Sequence, residues 1–244
     1  MSKASPMSAV TGPLFKWFGS KWLASKLYPP PEYDTIFEPY AGSAGYSLRH
    51  HEKKIVIWEE NPNVNALWRW LIEEASSADV LEIPLGTPEF TDIGTLGLSS
   101  GQALLLKHWQ RTNNVGTCST ISPWGNKPGQ WTANTRARVA DELHAVKHWQ
   151  VKRIHPDRRG TYFIDPPYLY NYRYGFKEFD HAGLVTKIAM IPSGSQIIVC
   201  EAACQKTGRV PEYLPFKLFG SRITSRRKKT ENHHSKEYLY HEQR

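Results

Sequence analysis

The sequence has few cysteines and no long apolar run, and each shortage excludes a class of protein. The three cysteines, Cys118, Cys200 and Cys204, are odd in number and lack the paired spacing of a zinc site. They predict reduced thiols rather than a disulfide framework or a metal centre. No segment approaches the ~18 apolar residues needed to cross a bilayer, and the N-terminus has no apolar signal segment. We therefore expect a cytoplasmic protein with no membrane partner.

Two common nucleotide-binding fingerprints are also missing. The glycine spacing does not match G-x-G-x-x-G, and no G-x-x-x-x-G-K-[ST] loop is present, so an adenosine-bearing cofactor other than a nicotinamide dinucleotide is favoured. His144 and His148 are four residues apart on a predicted helix, but no Glu or third ligand accompanies them. They are interpreted as surface residues, and no metal is expected.

What the sequence does contain fits one catalytic domain with an appendage. Its 244 residues are 40% hydrophobic, which is enough for one sizeable core. The formal net charge of +8 is compatible with a polyanionic partner such as nucleic acid, although charge alone does not establish one.

Strand-like and helix-like segments alternate at both ends of the chain. Strands are predicted at 35–38, 54–58, 161–164 and 195–200, with helices near 64–72 and 180–190 and two last β-like runs at 212–219 and 236–241. This alternation predicts an α/β fold with a mostly parallel sheet and an antiparallel pair at one edge.

The alternation lapses between residues 76 and 159. Helices are predicted near 103–111 and 135–150, around a segment rich in Gly, Asn, Ser, Thr and Pro. We interpret 76–159 as an inserted subdomain and 1–75 with 160–244 as the catalytic domain.

The most informative motif is Asp-Pro-Pro-Tyr at 165–168, directly after a predicted strand. In open α/β sheets ligands bind at the carboxyl ends of the strands. Asp165 and the Pro166 carbonyl can accept both N–H bonds of an exocyclic amine, and Tyr168 offers a face for stacking a base. Alternatively, the four residues form only a turn that ends a strand.

Two other motifs follow predicted strands. The small-residue turn Pro-Tyr-Ala-Gly-Ser-Ala-Gly at 39–45 would let a ligand approach the backbone closely. Glu59 ends the second strand, where a carboxylate can accept hydrogen bonds from the hydroxyls of a ribose. An ordinary tight turn and a solvated acid are the alternatives.

Four motifs, taken in their order along the chain, resemble the Dam-like family of DNA adenine methyltransferases. They are the N-terminal motif FKWFGSKW at 15–22, then FEPYAGSAG at 37–45, the acidic strand end at Glu59 and DPPY at 165–168. The resemblance runs from about Leu14 to Tyr240 but is dense only in these motifs. It implies a Rossmann-like class I methyltransferase sheet, S-adenosylmethionine as cofactor, and transfer of a methyl group to N6 of an adenine flipped out of DNA. It also implies the cytoplasm of a bacterial or phage-infected cell.

The resemblance further implies the roles of individual residues. Trp17 and Lys21 would lie beside the methionine portion of the cofactor, and Ala44 stands where relatives often have glycine. The remaining cofactor residues would be Glu38, Pro39, Tyr40, Ala41, Gly42, Glu59 and Asp165, and the catalytic residues Asp165, Pro166, Pro167 and Tyr168. The aromatic residues Tyr170, Tyr172, Tyr174 and Phe176 would either line the base pocket or pack their own loop.

Double-stranded DNA is the expected partner. The basic segment with Arg222, Arg226, Arg227 and Lys228 precedes the last predicted strand, and phosphate contacts are the preferred interpretation over a solvated face. Lys127 and Arg136 in the insertion could contact bases or phosphates. Neither the target sequence nor the oligomeric state is indicated.

Other functions remain open. Related motifs suit methylation of cytosine, of RNA adenine or of a protein amide, and a relative without turnover could keep only DNA binding. An oxidoreductase is disfavoured because the dinucleotide fingerprint is absent.

Overall fold

The computed structural model describes residues 9–110, 118–168 and 179–201, and the backbone alone of residues 202, 218–224 and 236–243. The strands are β1 (Thr35–Glu38), β2 (Lys54–Ile57), β3 (Gln150–Val151), β4 (Thr161–Ile164), β5 (Gln196–Ala202), β6 (Leu218–Thr224) and β7 (Lys236–Gln243). The helices are α1 (Gly45–Arg49), α2 (Pro62–Arg69), α3 (Ser77–Glu82), α4 (Ser100–Trp109), α5 (Ala133–Glu142) and α6 (His181–Ala189). A π-helical turn follows α2 at Trp70–Glu74, and 3₁₀ turns occupy Ser25–Leu27, Ile93–Thr95 and Leu143–Val146.

Five strands form a parallel sheet in the order β3-β2-β1-β4-β5. This confirms the predicted α/β class, and the order is compatible with a Rossmann-like sheet. Beyond β5 the sheet continues with β7 and then β6, and β7 is antiparallel to both neighbours. Since β1 pairs with β2 on one side and β4 on the other, the chain reverses its direction of winding between β1 and β4.

Both faces of the parallel sheet are buried, which is typical of α/β proteins. Alternate strand residues such as Ile36 and Phe163 join one apolar cluster with residues from α2, α4 and α5. The residues between them, such as Phe37 and Tyr162, join a second cluster with Leu184 and Ile188 of α6. Two apolar faces explain why these strands are continuous hydrophobic runs rather than alternating ones.

The predicted helix near 64–72 is confirmed as α2, which begins at residue 62 and continues into the π-helical turn. Asn61 is its N-cap, and its side-chain oxygen accepts hydrogen bonds from the amides of Asn63 and Val64 at 3.0 and 3.3 Å. Pro62 occupies the first turn, where a missing N–H has no cost. The predicted helix near 180–190 is also confirmed as α6, with Asp180 as its N-cap.

The predicted helix over 135–150 is wrong in its second half. α5 ends at Glu142, a 3₁₀ turn follows, and Gln150–Val151 forms β3 beside β2. The Lys147 ammonium donates to the carbonyl oxygens of Leu71 and Ala75 at the end of the π-helical turn. Helical periodicity could not reveal that this segment has to return to the sheet.

The boundaries proposed for the insertion, 76 and 159, stay a prediction. Strand β3 comes from this segment, and Leu105, Val139 and Trp149 share the apolar cluster with strands β1 and β2. The segment therefore packs on the sheet and supplies one of its strands.

In the ranges given above, no helix has the length and apolar character to cross a bilayer.

Residues 20–25 pack closely against the start of α1. A Cβ atom on Gly45 would lie 2.8 Å from the Lys21 carbonyl carbon, which is closer than side chains tolerate. The Ser25 hydroxyl donates to the Gly45 carbonyl oxygen at 3.2 Å, and the Ser20 and Ser43 hydroxyls lie 2.7 Å apart. Glycine at 45 therefore fixes the N-terminal motif against the loop that follows β1.

Gly45→Ala should destabilise the protein by about 1–3 kcal/mol, because the added methyl group meets backbone that cannot move aside. Chemical denaturation measures the change. Gly12→Ala is the matched control, since the three atoms nearest to its Cβ would all belong to the Arg138 side chain, at 3.1 Å or more, rather than to backbone. Equal stability losses in the two variants would contradict the close packing at Gly45.

Candidate active site

One pocket lies at the carboxyl edge of the sheet, where β1 and β4 are neighbours. It is lined by residues 17–21, by Glu38 and the loop after β1, by Glu59 and Glu60, and by Asp165 and Pro167. A reversal of winding between adjacent parallel strands opens a crevice at this edge, and ligands bind there in open α/β sheets.

Two residues of the loop after β1, Gly42 and Ala44, have a left-handed backbone conformation. Gly42 has φ +49°, and a Cβ there would lie 2.8 Å from the Trp17 indole nitrogen. Ala44, which replaces the glycine common in the resembled family, also has φ +49°, a conformation that carries a steric cost for alanine. The Trp68 indole N–H donates to the Gly42 carbonyl oxygen at 2.8 Å and holds the loop in place.

Glu59 follows β2 and ties this loop to the second strand. Its Oε2 accepts from the Gly42 amide at 2.9 Å, and its Oε1 accepts from the Asn61 amide at 3.0 Å. Burial raises the pKa of Glu59, while these backbone hydrogen bonds oppose the shift. Each carboxylate oxygen has a second lone pair, so Glu59 can also accept from the hydroxyls of a bound ligand.

Glu38, the last residue of β1, is buried and serves as an internal acceptor. Ser47 of α1 donates to Glu38 Oε2 through its hydroxyl and through its amide, the latter at 3.2 Å. Burial raises the pKa of Glu38 from its ordinary 4.5 to about 8, and the Asp165 charge adds to the shift. The Ser47 hydrogen bonds and the Lys21 charge oppose it.

Asp165 follows β4 and forms an ion pair with Lys21, whose Nζ lies 2.7 Å from Asp165 Oδ2. Lys21 Nζ also donates to the Gly19 carbonyl oxygen at 2.9 Å and lies 5.1 Å from the centre of the Tyr168 ring. The strand end and the N-terminal motif therefore meet at one charged pair.

Comparison with protein-family models and with curated protein sequences found no match.

Most of the predicted cofactor and catalytic residues nevertheless converge on this pocket. Those that line the pocket are Trp17, Lys21, Glu38, Tyr40, Ala41, Gly42, Glu59, Asp165 and Pro167. Pro166 is buried. Pro39 lines an adjoining pocket on the other side of Tyr40, together with Trp58 and Arg153.

Ser47 and Phe179 contribute to the site from outside the predicted motifs. Ser47 binds Glu38, but nothing in the sequence links a serine to a glutamate nine residues earlier. Phe179 lines the pocket and packs edge-on against Tyr40, with ring centres 5.6 Å apart. Its position directly before the N-cap of α6 is a signal that could have placed it at this edge of the sheet.

The predicted nucleic-acid contacts have different surroundings. Lys127 is exposed, and its Nζ lies 3.9 Å from the ring centre of the exposed Trp124. Arg136 is partly buried and donates to the Ile83 carbonyl oxygen at 2.9 Å. Only the backbone of Arg222 is described, in β6, and the remaining predicted residues lie outside the described ranges: Arg226, Arg227, Lys228, Tyr170, Tyr172, Tyr174 and Phe176.

His144 and His148 lie beyond the end of α5. His144 Nδ1 is 2.6 Å from the Asp141 carbonyl oxygen, and His148 Nε2 is 3.0 Å from the Lys53 carbonyl oxygen. Within the described part of the chain, no three His, Cys, Asp or Glu side chains cluster as metal ligands.

Glu38→Gln should remove a pH-dependent loss of stability. Because the folded protein holds the Glu38 proton up to about pH 8, the contribution of Glu38 to wild-type stability is largest below pH 4.5, where this group is protonated in both states. That contribution falls between those two pH values because Glu38 ionises only in the unfolded state. The variant should therefore gain stability over the wild type on going from pH 5 to pH 8, by on the order of a few kcal/mol.

Thermal unfolding at both pH values measures this gain, with the exposed Glu52→Gln as control. Glutamine keeps an oxygen that can accept from Ser47. A stability difference between Glu38→Gln and wild type that does not change with pH would contradict the assignment of a neutral Glu38.

Proposed function

We propose that the chain is an S-adenosylmethionine-dependent DNA methyltransferase acting on the exocyclic amine of adenine. The proposal rests on the convergence of three separate motifs on one pocket, at the carboxyl edge of the sheet between β1 and β4. The motifs are residues 17–21, the loop after β1 and Asp165. The parallel strands followed by an antiparallel pair also fit the Rossmann-like methyltransferase sheet that the resemblance implies.

The residues of the pocket fit an adenosine-bearing cofactor. Glu59 is a half-buried carboxylate beside the loop after β1, and it is suited to accept hydrogen bonds from ribose hydroxyls. The aromatic side chains of Trp17, Tyr40 and Phe179 supply apolar walls. S-adenosylmethionine would supply an electrophilic methyl group on a sulfonium sulfur, and the transfer would release S-adenosylhomocysteine and one proton from the amine nitrogen.

The chain's own groups would prepare the amine for attack. The Asp165 carboxylate accepts one N–H and the Pro166 carbonyl oxygen the other, which directs the nitrogen lone pair towards the methyl group. Tyr168 stacks on the base and fixes its plane. These groups act by proximity and orientation, which can supply a large part of the barrier reduction.

DNA is the proposed substrate because it is a polyanion whose adenine bases carry an exocyclic amine, and the protein has a net charge of +8. An amine of another base, of RNA or of a protein remains the alternative, as does a relative that binds DNA without turnover. Substrate competition between duplex DNA, single-stranded DNA and RNA separates these.

Asp165→Ala should abolish methyl transfer but spare cofactor affinity more than Glu59→Ala does. The two carboxylates contact different partners in the proposed complex. Calorimetric titration with S-adenosylhomocysteine and transfer of labelled methyl to DNA measure the two effects, with the exposed Glu73→Ala as control. Equal losses of cofactor affinity in both variants would contradict the assignment.

Lys127→Ala should weaken DNA binding and reduce the slope of log affinity against log salt by up to about 1, while leaving stability unchanged. Arg136→Ala should instead lower the melting temperature, because its guanidinium bonds the Ile83 carbonyl oxygen. Binding titrations at several salt concentrations and thermal unfolding separate the two. An unchanged salt slope for Lys127→Ala would leave that lysine on a solvated face.

A further inference from the structure

The Lys21 ammonium is held by groups from two separate parts of the chain. It pairs with Asp165 Oδ2 after β4, at 2.7 Å, and donates to the Gly19 carbonyl oxygen within its own motif. The side chains of Lys21 and Asp165 are only 7% and 17% exposed. Because water screens such a pair weakly, each charge strongly constrains the other.

The backbone that carries Lys21 is itself fixed. The Lys21 carbonyl oxygen accepts from the Ser25 amide at 2.7 Å, and Gly45 permits the close approach of α1. The ammonium is therefore placed by the loop after β1, whereas the carboxylate is placed by the end of β4. The ion pair therefore links the loop after β1 to the end of β4, the two neighbouring strands between which the winding of the sheet reverses.

The proposed chemistry makes two demands on Asp165. Its side chain accepts an amine N–H more strongly as a carboxylate than as a neutral acid, and it has to keep one orientation. A cation in contact favours the ionised form. A carboxylate also has about four lone-pair sites, so Asp165 can accept from Lys21 and from an amine at the same time.

A second carboxyl group, Glu38, lies buried at the same edge of the sheet. Burial keeps Glu38 protonated up to about pH 8, and the neighbouring Asp165 charge adds to this upward shift of its pKa. The proton that this pair of carboxyl groups retains therefore resides on Glu38, which leaves Asp165 to pair as a carboxylate with Lys21.

We infer that Lys21 is a positioning residue that holds the Asp165 carboxylate ionised and oriented towards the substrate amine, rather than a ligand of the cofactor. This rests on the proposed function, and it differs from the role beside the methionine portion that the family resemblance implies. Lys21 therefore contributes to the methyl-transfer step and little to cofactor affinity.

Lys21→Met tests the inference, with Lys21→Arg as the variant that keeps the charge and the exposed Lys26→Met as control. We expect Lys21→Met to slow single-turnover methyl transfer about 100-fold at saturating cofactor, with affinity for S-adenosylhomocysteine changed by less than about threefold. Lys21→Arg should recover part of the rate. A large loss of S-adenosylhomocysteine affinity with an unchanged saturated rate would make Lys21 a cofactor ligand and overturn the inference.

The double variant Lys21→Met/Asp165→Asn covers the case in which Lys21→Met alone fails to fold, because it leaves no unpaired buried charge. Lys21 acts through Asp165, so the double variant should transfer methyl no more slowly than Asp165→Asn alone and should bind S-adenosylhomocysteine equally well. Additive losses of rate, or a weaker affinity than that of Asp165→Asn, would overturn the inference.

Crystal structures of the wild type, Lys21→Arg and the double variant give a readout that does not depend on turnover. The residue-165 side chain should keep its orientation in Lys21→Arg and turn away in the double variant. If the wild type transfers no methyl group but these orientations are observed, the proposed function fails and the positioning role stands. If the side chain is unmoved in the double variant, the positioning role fails whatever the activity.

Discussion

The close packing of the N-terminal motif against the loop after β1 is the constraint on which the site depends. Gly42 leaves room for the Trp17 ring, and Gly45 leaves room for the Lys21 backbone. With these two contacts, residues that precede the first strand become a wall of the pocket at the end of that strand. From this position the Lys21 ammonium forms its ion pair with Asp165 at the end of β4.

The electrostatics of the pocket follow from this arrangement. Three acidic side chains, Glu38, Glu59 and Asp165, lie at the ends of three adjacent strands, and each has a different partner. Glu38 takes hydrogen bonds from Ser47, Glu59 takes them from backbone amides, and Asp165 takes a cation. The first is therefore suited to a structural role, the second to binding neutral hydroxyls, and the third to chemistry that needs a fixed anion.

The sequence predicted the strands and the pocket better than it predicted the region between them. β1, β2, β4, α2 and α6 were found because a buried parallel strand is a short apolar run and helical spacing is a local signal, which at α2 includes the cap residue Asn61. The end of α5 and strand β3 were missed because pairing of Gln150–Val151 with β2 depends on contacts distant in sequence. The Lys21–Asp165 pair was missed for the same reason, since 144 positions separate two residues that only the fold brings together.

The most direct test of the central claim is transfer of a labelled methyl group from S-adenosylmethionine to unmethylated duplex DNA, followed by analysis of the nucleosides. The proposed function predicts label in N6-methyladenine and its loss in Asp165→Ala. A protein that binds the cofactor but labels no DNA nucleoside, or labels only RNA or protein, would contradict it.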